Sequence, residues 1–332
     1  MLILYFDSGR KPIFRACFNE SGIECRSWCA SAFSSVLFNS LSHMWRLRSV
    51  LRGIIYYFPK QRKDLIIVFD TKVSRDYLRE LRRRNPESQI AIWCWNEIKP
   101  AEKLIDKAEG LDIWSYSISD CEKYGLRYNT QFYFDSIVER YGDVRRAEAP
   151  QGGKSFLFAG RTKGREEKIE AISQQIRRAG WGCEVEYLSA SMRRPKNCGD
   201  VIRYDELVRQ MLGYQGILDI AAATTSGLSL RVMESIFFHK KLITDNSVVM
   251  DYDFYDENNI YVWGHSTCSL EEFLERPYRP VPQEIADRYL LSSWASRMCE
   301  AYGMAADGTP LTQGAAGEAA ISGNHSKIEG EA

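Results

Sequence analysis

The sequence predicts an α/β protein built from two Rossmann-like domains that face a central cleft. Short apolar strands alternate with helical stretches of about ten residues, the pattern of a largely parallel sheet covered by helices. The alternation breaks in residues 138–154, which mix charge with Pro and Gly as a linker does, and resumes at Ser155. At 332 residues the chain also exceeds what one hydrophobic core usually organises. The expected division is an N-terminal α/β domain over 1–150, a second α/β domain with a closing helix over 151–304, and a tail over 305–332.

The elements of the first domain follow in order. "MLILYFDSGRK" lacks a basic leader and a long apolar stretch, so it reads as a strand, not a signal peptide. "PIFRACF" and "GIECRSW" flank a turn at Asn19 to Gly22 and are expected to pair as a hairpin. Phe33, Val36, Leu37, Leu41, Met44, Leu47, Leu51, Ile54, Ile55 and Phe58 recur at helical spacing, which predicts a long amphipathic helix. The uncharged part of that segment is too rich in Ser, with Asn39 and His43, to span a bilayer well. Strand "DLIIVFD", a helix from Ser74 to Arg84, strand "SQIAIWCW", a helix from Pro100 to Ala108 and strand "LDIWSYS" complete the domain.

In the second domain strand "SFLFAG" leads to a helix from Glu166 to Ala179, strand "CEVEYLS" and a helix from Tyr204 to Leu212. Strand "GILDIA", a helix carrying Arg231 and Glu234, strands "KLIT" and "NIYVWG" and a helix from "SLEEFLER" come next. "PQEIADRYLLSSWASRM" predicts one closing helix with Ile285, Tyr289, Leu290 and Trp294 on a single face. Beyond Met304 the chain is Gly, Ala, Ser and Thr without apolar periodicity, so the tail is expected to be disordered.

Charge narrows the function. The net charge is zero, which argues against a dedicated nucleic-acid binder, yet residues 1–100 hold 17 Lys and Arg against 9 Asp and Glu. A basic front half suggests an anionic partner, a phospholipid surface or a phosphorylated acceptor. Arg46, Arg48 and Arg52, close to the end of the long helix, are the expected membrane or acceptor surface. The alternative is a helix packed on its own sheet. Nine cysteines, an odd number without a C-x-x-C pair, fit reduced thiols in a cytosolic protein.

No metal is expected. Cys25 and Cys29 have no nearby His, the four histidines form no metal spacing, and Asp251 and Asp253 lie in a loop acidic enough for the pairing to be chance. "GGKS" at 152–155 resembles the end of a P-loop, but Glu148 stands where the first Gly belongs and a strand follows.

Two loops suit a diphosphate. In "AGRTKGR", 159–165, Gly160 permits close backbone approach and Arg161 and Lys163 supply charge. In "ATTSGLSLRVME", 223–234, the loop through Gly227 brings Thr225, Ser226 and Ser229 to a helix start, where they can cap it or donate to an anion. Both follow the carboxyl ends of strands, where open α/β sheets bind ligands. Arg231 and Glu234, three residues apart, share a helix face. They either pair with each other, or Glu234 accepts both hydroxyls of a ribose while Arg231 meets a phosphate or sugar. Asp7 and Asp70 each end a strand and are candidates for a general base, or simply turn residues.

On these stretches the chain resembles the GT-B-fold glycosyltransferases of bacterial lipopolysaccharide-core and capsular polysaccharide assembly. "FLFAGRTKGR" looks like the opening of their donor domain, and "GLSLRVMESIFFHKKLITDN" is similar to their helix-Glu-strand donor motif. "DIWSYSISDCEKYGLRYNTQFY" looks like the end of the acceptor domain in a short-chain subgroup. The resemblance implies a metal-independent hexosyltransferase without a permanent cofactor, using a UDP- or GDP-type nucleotide-sugar. Arg161 and Lys163 would bind the donor diphosphate and Glu234 the ribose. The acceptor would be a glycan or glycolipid at the inner face of the plasma membrane. Retaining members often carry a second Glu eight residues before the ribose-binding one, and here that place is Ser226. Retaining and inverting chemistry therefore both stay open. So do a nucleotide-sugar epimerase, a polyol-phosphate transferase and a non-catalytic glycan-binding or regulatory module.

Overall fold

In the computed structural model the described residues are 1–5, 12–28, 56–95, 101–142, 153–160, 164–187, 204–221 and 227–305. Their strands form two parallel sheets. The first joins β1 (Leu2–Tyr5), β2 (Glu24–Ser27), β3 (Ile66–Phe69), β4 (Ile90–Trp93), β5 (Asp112–Ser115) and β6 (Arg127–Tyr128) in the order β2-β1-β3-β4-β5-β6. The second joins β7 (Ser155–Gly160), β8 (Gly182–Tyr187), β9 (Gly216–Asp219), β10 (Lys241–Thr244) and β11 (Ile260–Val262) in the order β11-β10-β9-β7-β8. Each chain segment thus steps outward once, returns to the far side of its first strand, and proceeds the other way. The direction reverses between β1 and β3, and again between β7 and β9; such switch points leave a crevice at the carboxyl ends of the strands.

Strand composition explains the burial. Parallel sheets are covered on both faces, so their strands are continuous apolar runs such as "IIVF" and "IAIW", buried throughout. Alternate residues serve opposite cores. Leu2, Leu4, Ile66, Val68, Ile90 and Ile92 pack with Tyr77, Leu78 and Leu81 of α2 (Arg75–Arg84) and Leu104 of α3 (Ala101–Ala108). Phe156, Phe158, Leu218 and Ile243 pack with Ile169, Ile172 and Ile176 of α6 (Glu166–Arg178). The remaining face of each sheet, including Ile3, Ile67 and Trp93 of the first and Leu157, Ile217 and Leu242 of the second, contributes to one shared cluster. Among the described residues no helix is long and apolar enough to cross a membrane.

Four expectations are corrected. Pro12–Glu20 is a helix, α1, and β2 runs parallel to β1, so no hairpin forms. Parallel neighbours need a crossover, and α1 supplies it by burying Cys17 and Phe18. The signal at Asn19 to Gly22 marks a helix end instead, with Gly22 at φ 77° and the Ile23 N–H returning to Phe18 O at 3.0 Å. After α4 (Ile118–Tyr124), residues 138–142 belong to α5 (Asp135–Gly142), where Ile137 and Tyr141 are buried, so the linker signal began too early. The helix expected to run to Phe58 does not include residues 56–58, where Tyr57 N–H donates to Trp28 O at 2.8 Å as extended chain does; the rest of that segment, with Arg46, Arg48 and Arg52, lies outside the described residues. The tail beyond residue 305 also lies outside them.

The closing helix is broken. α10 (Gln283–Ala286) and a 3-10 turn (Asp287–Tyr289) end at Leu290, which is extended, before α11 (Leu291–Glu300) begins. At that break the chain pairs with Tyr133: Tyr133 N–H donates to Tyr289 O at 2.7 Å, and Leu291 N–H to Tyr133 O at 2.8 Å. Trp294 of α11 then inserts against Trp93 at 5.0 Å, edge to face, and Phe132 at 4.8 Å. Trp294→Ala removes a fully buried indole and should cost about 3–5 kcal/mol. Urea unfolding is expected to show that loss; a midpoint unchanged from wild type would mean the return of α11 adds nothing to stability.

Candidate functional site

The second sheet's switch point is filled by charge. α8 (Leu230–Phe237) starts beside it because Ser229 caps the helix, its Oγ accepting the Arg231 N–H at 3.1 Å. From the first turn Arg231 reaches across the sheet edge. Its Nη1 donates to Asp219 Oδ1 at the end of β9, 2.7 Å away, and its Nε and Nη2 to Ala159 O near the end of β7, at 3.3 and 3.2 Å. One guanidinium therefore bridges the two strands between which the winding reverses. Gly160 makes the room, since a Cβ there would lie 2.6 Å from Arg231 Nη2 and 3.3 Å from the Phe158 ring.

Arg165 joins the group from the loop after β7. Its Nη1 donates to Ile220 O and its guanidinium lies 5.2 Å from the Phe158 ring, while Arg231 lies 5.5 Å from the same ring. Burial and the neighbouring Arg231 push Arg165 below its ordinary range, and the cation is retained because a guanidinium titrates far above neutrality. Asp245, at the end of β10, accepts from Ala221 N–H at 2.6 Å and from Lys168 Nζ at 2.6 Å. Cations and carboxylates here alternate around the carboxyl ends of β7, β9 and β10.

Glu234 lies one turn further along α8 and is buried, at 6% exposure. It does not hydrogen-bond to Arg231. Oε1 accepts from the Tyr204 phenol at 2.7 Å, and the Tyr204 oxygen lies 2.8 Å from that of Tyr133. Burial pushes the carboxyl up to about 7, partly opposed by the Tyr204 hydrogen bond and the charge of Arg231. The two opposite charges on one helix face therefore have separate partners, Asp219 for Arg231 and Tyr204 for Glu234.

The other expected positions separate. Arg161, Lys163, Thr225, Ser226 and Asp7 lie outside the described residues. Gly227 is spaced for a protein ring: a Cβ there would lie 2.4 Å from Tyr116, which follows β5, and Gly227 O accepts from Asn246 Nδ2 at 3.0 Å. Asp70 ends β3 beside the first sheet's switch point, its Oδ1 accepting the Trp95 N–H at 3.0 Å. Burial pushes its carboxyl up to about 6, against the backbone N–H groups of Trp95, Asp70 and Thr71. Asp253 is occupied by Arg288 at 2.8 Å and Tyr289 OH at 2.6 Å, and no described group of His, Cys, Asp or Glu is arranged to hold a metal ion. Lys154 of "GGKS" pairs with Glu275 at 2.7 Å at the start of a strand.

Sequence reasoning missed Arg165, Asp219, Asp245 and Tyr204. Arg165 was inside the quoted "AGRTKGR", and Asp219 and Asp245 each stand at or just past a strand end, a signal applied only to Asp7 and Asp70. Tyr204 begins a helix, α7 (Tyr204–Leu212), and nothing in its local sequence points to Glu234.

The Glu234 carboxyl links site and stability. Its ordinary value is 4.5 and its folded value about 7, so the folded protein keeps a proton that the unfolded chain releases first. Its contribution is therefore greatest below about 4.5, declines as pH rises, and levels above about 7, a loss of about 3 kcal/mol. Glu234→Gln should flatten stability between those limits in urea unfolding. An identical pH slope in the variant would show that Glu234 ionises as an exposed carboxylate does. Neither a scan against protein-family models nor a search of curated proteins matches the chain.

Proposed function

We propose that the chain is a glycosyltransferase that moves a sugar from a nucleotide-sugar to a growing surface glycan of the lipopolysaccharide-core or capsular kind, its donor held at the switch point of the second sheet. One observation carries this reading: Arg231 and Arg165 converge over Gly160 where β7 and β9 part, with the Glu234 carboxylate one helical turn away. Guanidinium groups at such a crevice suit a diphosphate, whose charge grows as the sugar leaves. A buried carboxylate a turn away suits the paired hydroxyls of a ribose. Arg161, Lys163, Thr225 and Ser226 flank the same crevice in sequence and would complete the anion site.

An inverting transfer also needs a base for the acceptor hydroxyl. Asp70, with its carboxyl raised to about 6, is the described group best suited to accept that proton near neutrality. The acceptor would be lipid-linked, meeting the protein at the cytoplasmic face of the membrane through the basic first hundred residues.

Incubation with a panel of UDP- and GDP-sugars, with and without lipid extract, should release nucleotide only when acceptor lipid is present, and should do so in EDTA. Glu234→Ala should weaken nucleotide binding by about 1.5–3 kcal/mol, as for loss of a charged hydrogen-bond partner. A folded variant with undiminished affinity would remove Glu234 from the donor site. Magnesium-reversible loss of activity in EDTA would instead require a metal ion.

The membrane role has its own test. Wild type should sediment with anionic vesicles at low salt and be released near 1 M salt, where the Debye length is about 3 Å. Changing Arg46, Arg48 and Arg52 together to Ser should abolish the binding. Wild type that ignores anionic vesicles would move acceptor recognition elsewhere.

A further inference from the structure

The ribose-binding role proposed for Glu234 requires a carboxylate that is both ionised and aimed, and burial opposes both. Glu234 sits on α8 facing Tyr204 of α7, with Arg231 on its own helix and Asp219 on β9 as the neighbouring charges. Oε1 is taken by the Tyr204 phenol at 2.7 Å, while Oε2 accepts from no donor among the described residues. Tyr204 is in turn 2.8 Å from Tyr133, which is fully buried and held in place: its N–H and C=O both bond to the segment 289–291, and its ring stacks on Phe237 at 5.5 Å and meets Phe238 at 5.8 Å.

Proton count gives the chain a direction. A phenol has one hydrogen. When Glu234 is ionised, that of Tyr204 lies on the carboxylate, so the Tyr204 oxygen must accept from Tyr133. When Glu234 is protonated the order can reverse, with Glu234 donating to Tyr204 and Tyr204 to Tyr133. We propose that Tyr204 is the positioning residue of the ribose-binding carboxylate: anchored by Tyr133, its phenol holds Glu234 Oε1 in the ionised form and leaves Oε2 to accept the 2′- and 3′-hydroxyls. This deepens the nucleotide reading above and rests on it. Tyr133 follows the first sheet and Glu234 belongs to the second, so the donor site is oriented in part from the other half of the chain.

Raised by burial to about 7, Glu234 titrates where binding can be measured. The other titratable groups facing the chain are Cys17 and Tyr141, both beside Tyr133. The test measures UDP and GDP affinity by calorimetry from about pH 6 to pH 9, across the window in which Glu234 ionises. Wild type, Tyr204→Phe and Tyr133→Phe are compared, with circular dichroism to confirm folding. In parallel, the protonated-carboxyl infrared band that Glu234→Gln abolishes reports the Glu234 midpoint without nucleotide.

Wild-type affinity should rise with pH through the midpoint. Tyr204→Phe should move the midpoint up by about one unit and weaken binding about five-fold at pH 7 and nearly ten-fold at pH 6, with the deficit closing toward pH 9. Tyr133→Phe should shift it in the same direction by less. A Tyr204→Phe protein with an unmoved midpoint, or weakened by one factor at every pH, overturns the proposal while leaving nucleotide binding intact. Wild type that binds neither nucleotide at pH 9 overturns the nucleotide reading and the proposal with it.

Discussion

The packing of Trp294 against Trp93 and Phe132 holds the described halves of the chain together. Trp93 and Trp294 are 201 positions apart in sequence, and they meet because the chain returns to the first sheet after completing the second. Aromatic pairs of this geometry add to the area they bury, and this one brings polar contacts with it. Asn129 Nδ2 donates to Trp294 O at 3.1 Å, Arg297 Nε to Asn129 Oδ1 at 2.8 Å, and Trp114 Nε1 to Tyr302 OH at 3.0 Å. The break at Leu290, unexpected from periodicity, follows from the same return, since Tyr133 needs extended backbone opposite it to satisfy its own N–H and C=O.

Burial then dictates how the charges of the second half are arranged. A buried ion without a partner costs several kcal/mol, and each one here is held by a fixed acceptor or donor. Arg231 takes Asp219 and Ala159 O. Lys240 donates to Leu212 O and Tyr214 O, where α7 ends, and Lys241 to Asn258 O and Phe273 O near the end of α9 (Leu270–Glu275). Carbonyls at helix ends lack partners within the helix, so the two lysines after α8 act as its neighbours' caps. Burial still pushes both amines down to about 8.

The two glycines of the expected donor loops show why spacing alone underdetermines a site. Each is placed where a side chain would collide, as a phosphate-binding glycine is. At Gly160 the approaching group is the Arg231 guanidinium, and at Gly227 it is the Tyr116 ring, tied down by Tyr252 OH donating to Tyr116 O at 3.2 Å. The first brings a cation to the crevice and suits an anion site. The second closes a contact between the halves. Both are close-approach glycines, and only their neighbours separate the uses.

Strand positions were legible because a parallel sheet must be apolar on both faces, so "IIVF", "IAIW", "GILD" and "KLIT" stand out without any knowledge of their partners. The cap at Ser74 and the helix over Tyr204 to Leu212 were legible for an equally local reason. Local sequence could not distinguish the end of α1 from a hairpin turn, since Asn and Gly serve both and only the parallel pairing of β2 with β1 decides. Nor could it pair Arg231 with Asp219 or Glu234 with Tyr204, because those contacts join residues on different elements. Sequence by itself determined the α/β class, most strands and the helix that carries Arg231 and Glu234. Tertiary structure alone decided the strand order, the switch point and what each charge faces, because these depend on how far chain segments approach one another and not on what each segment prefers.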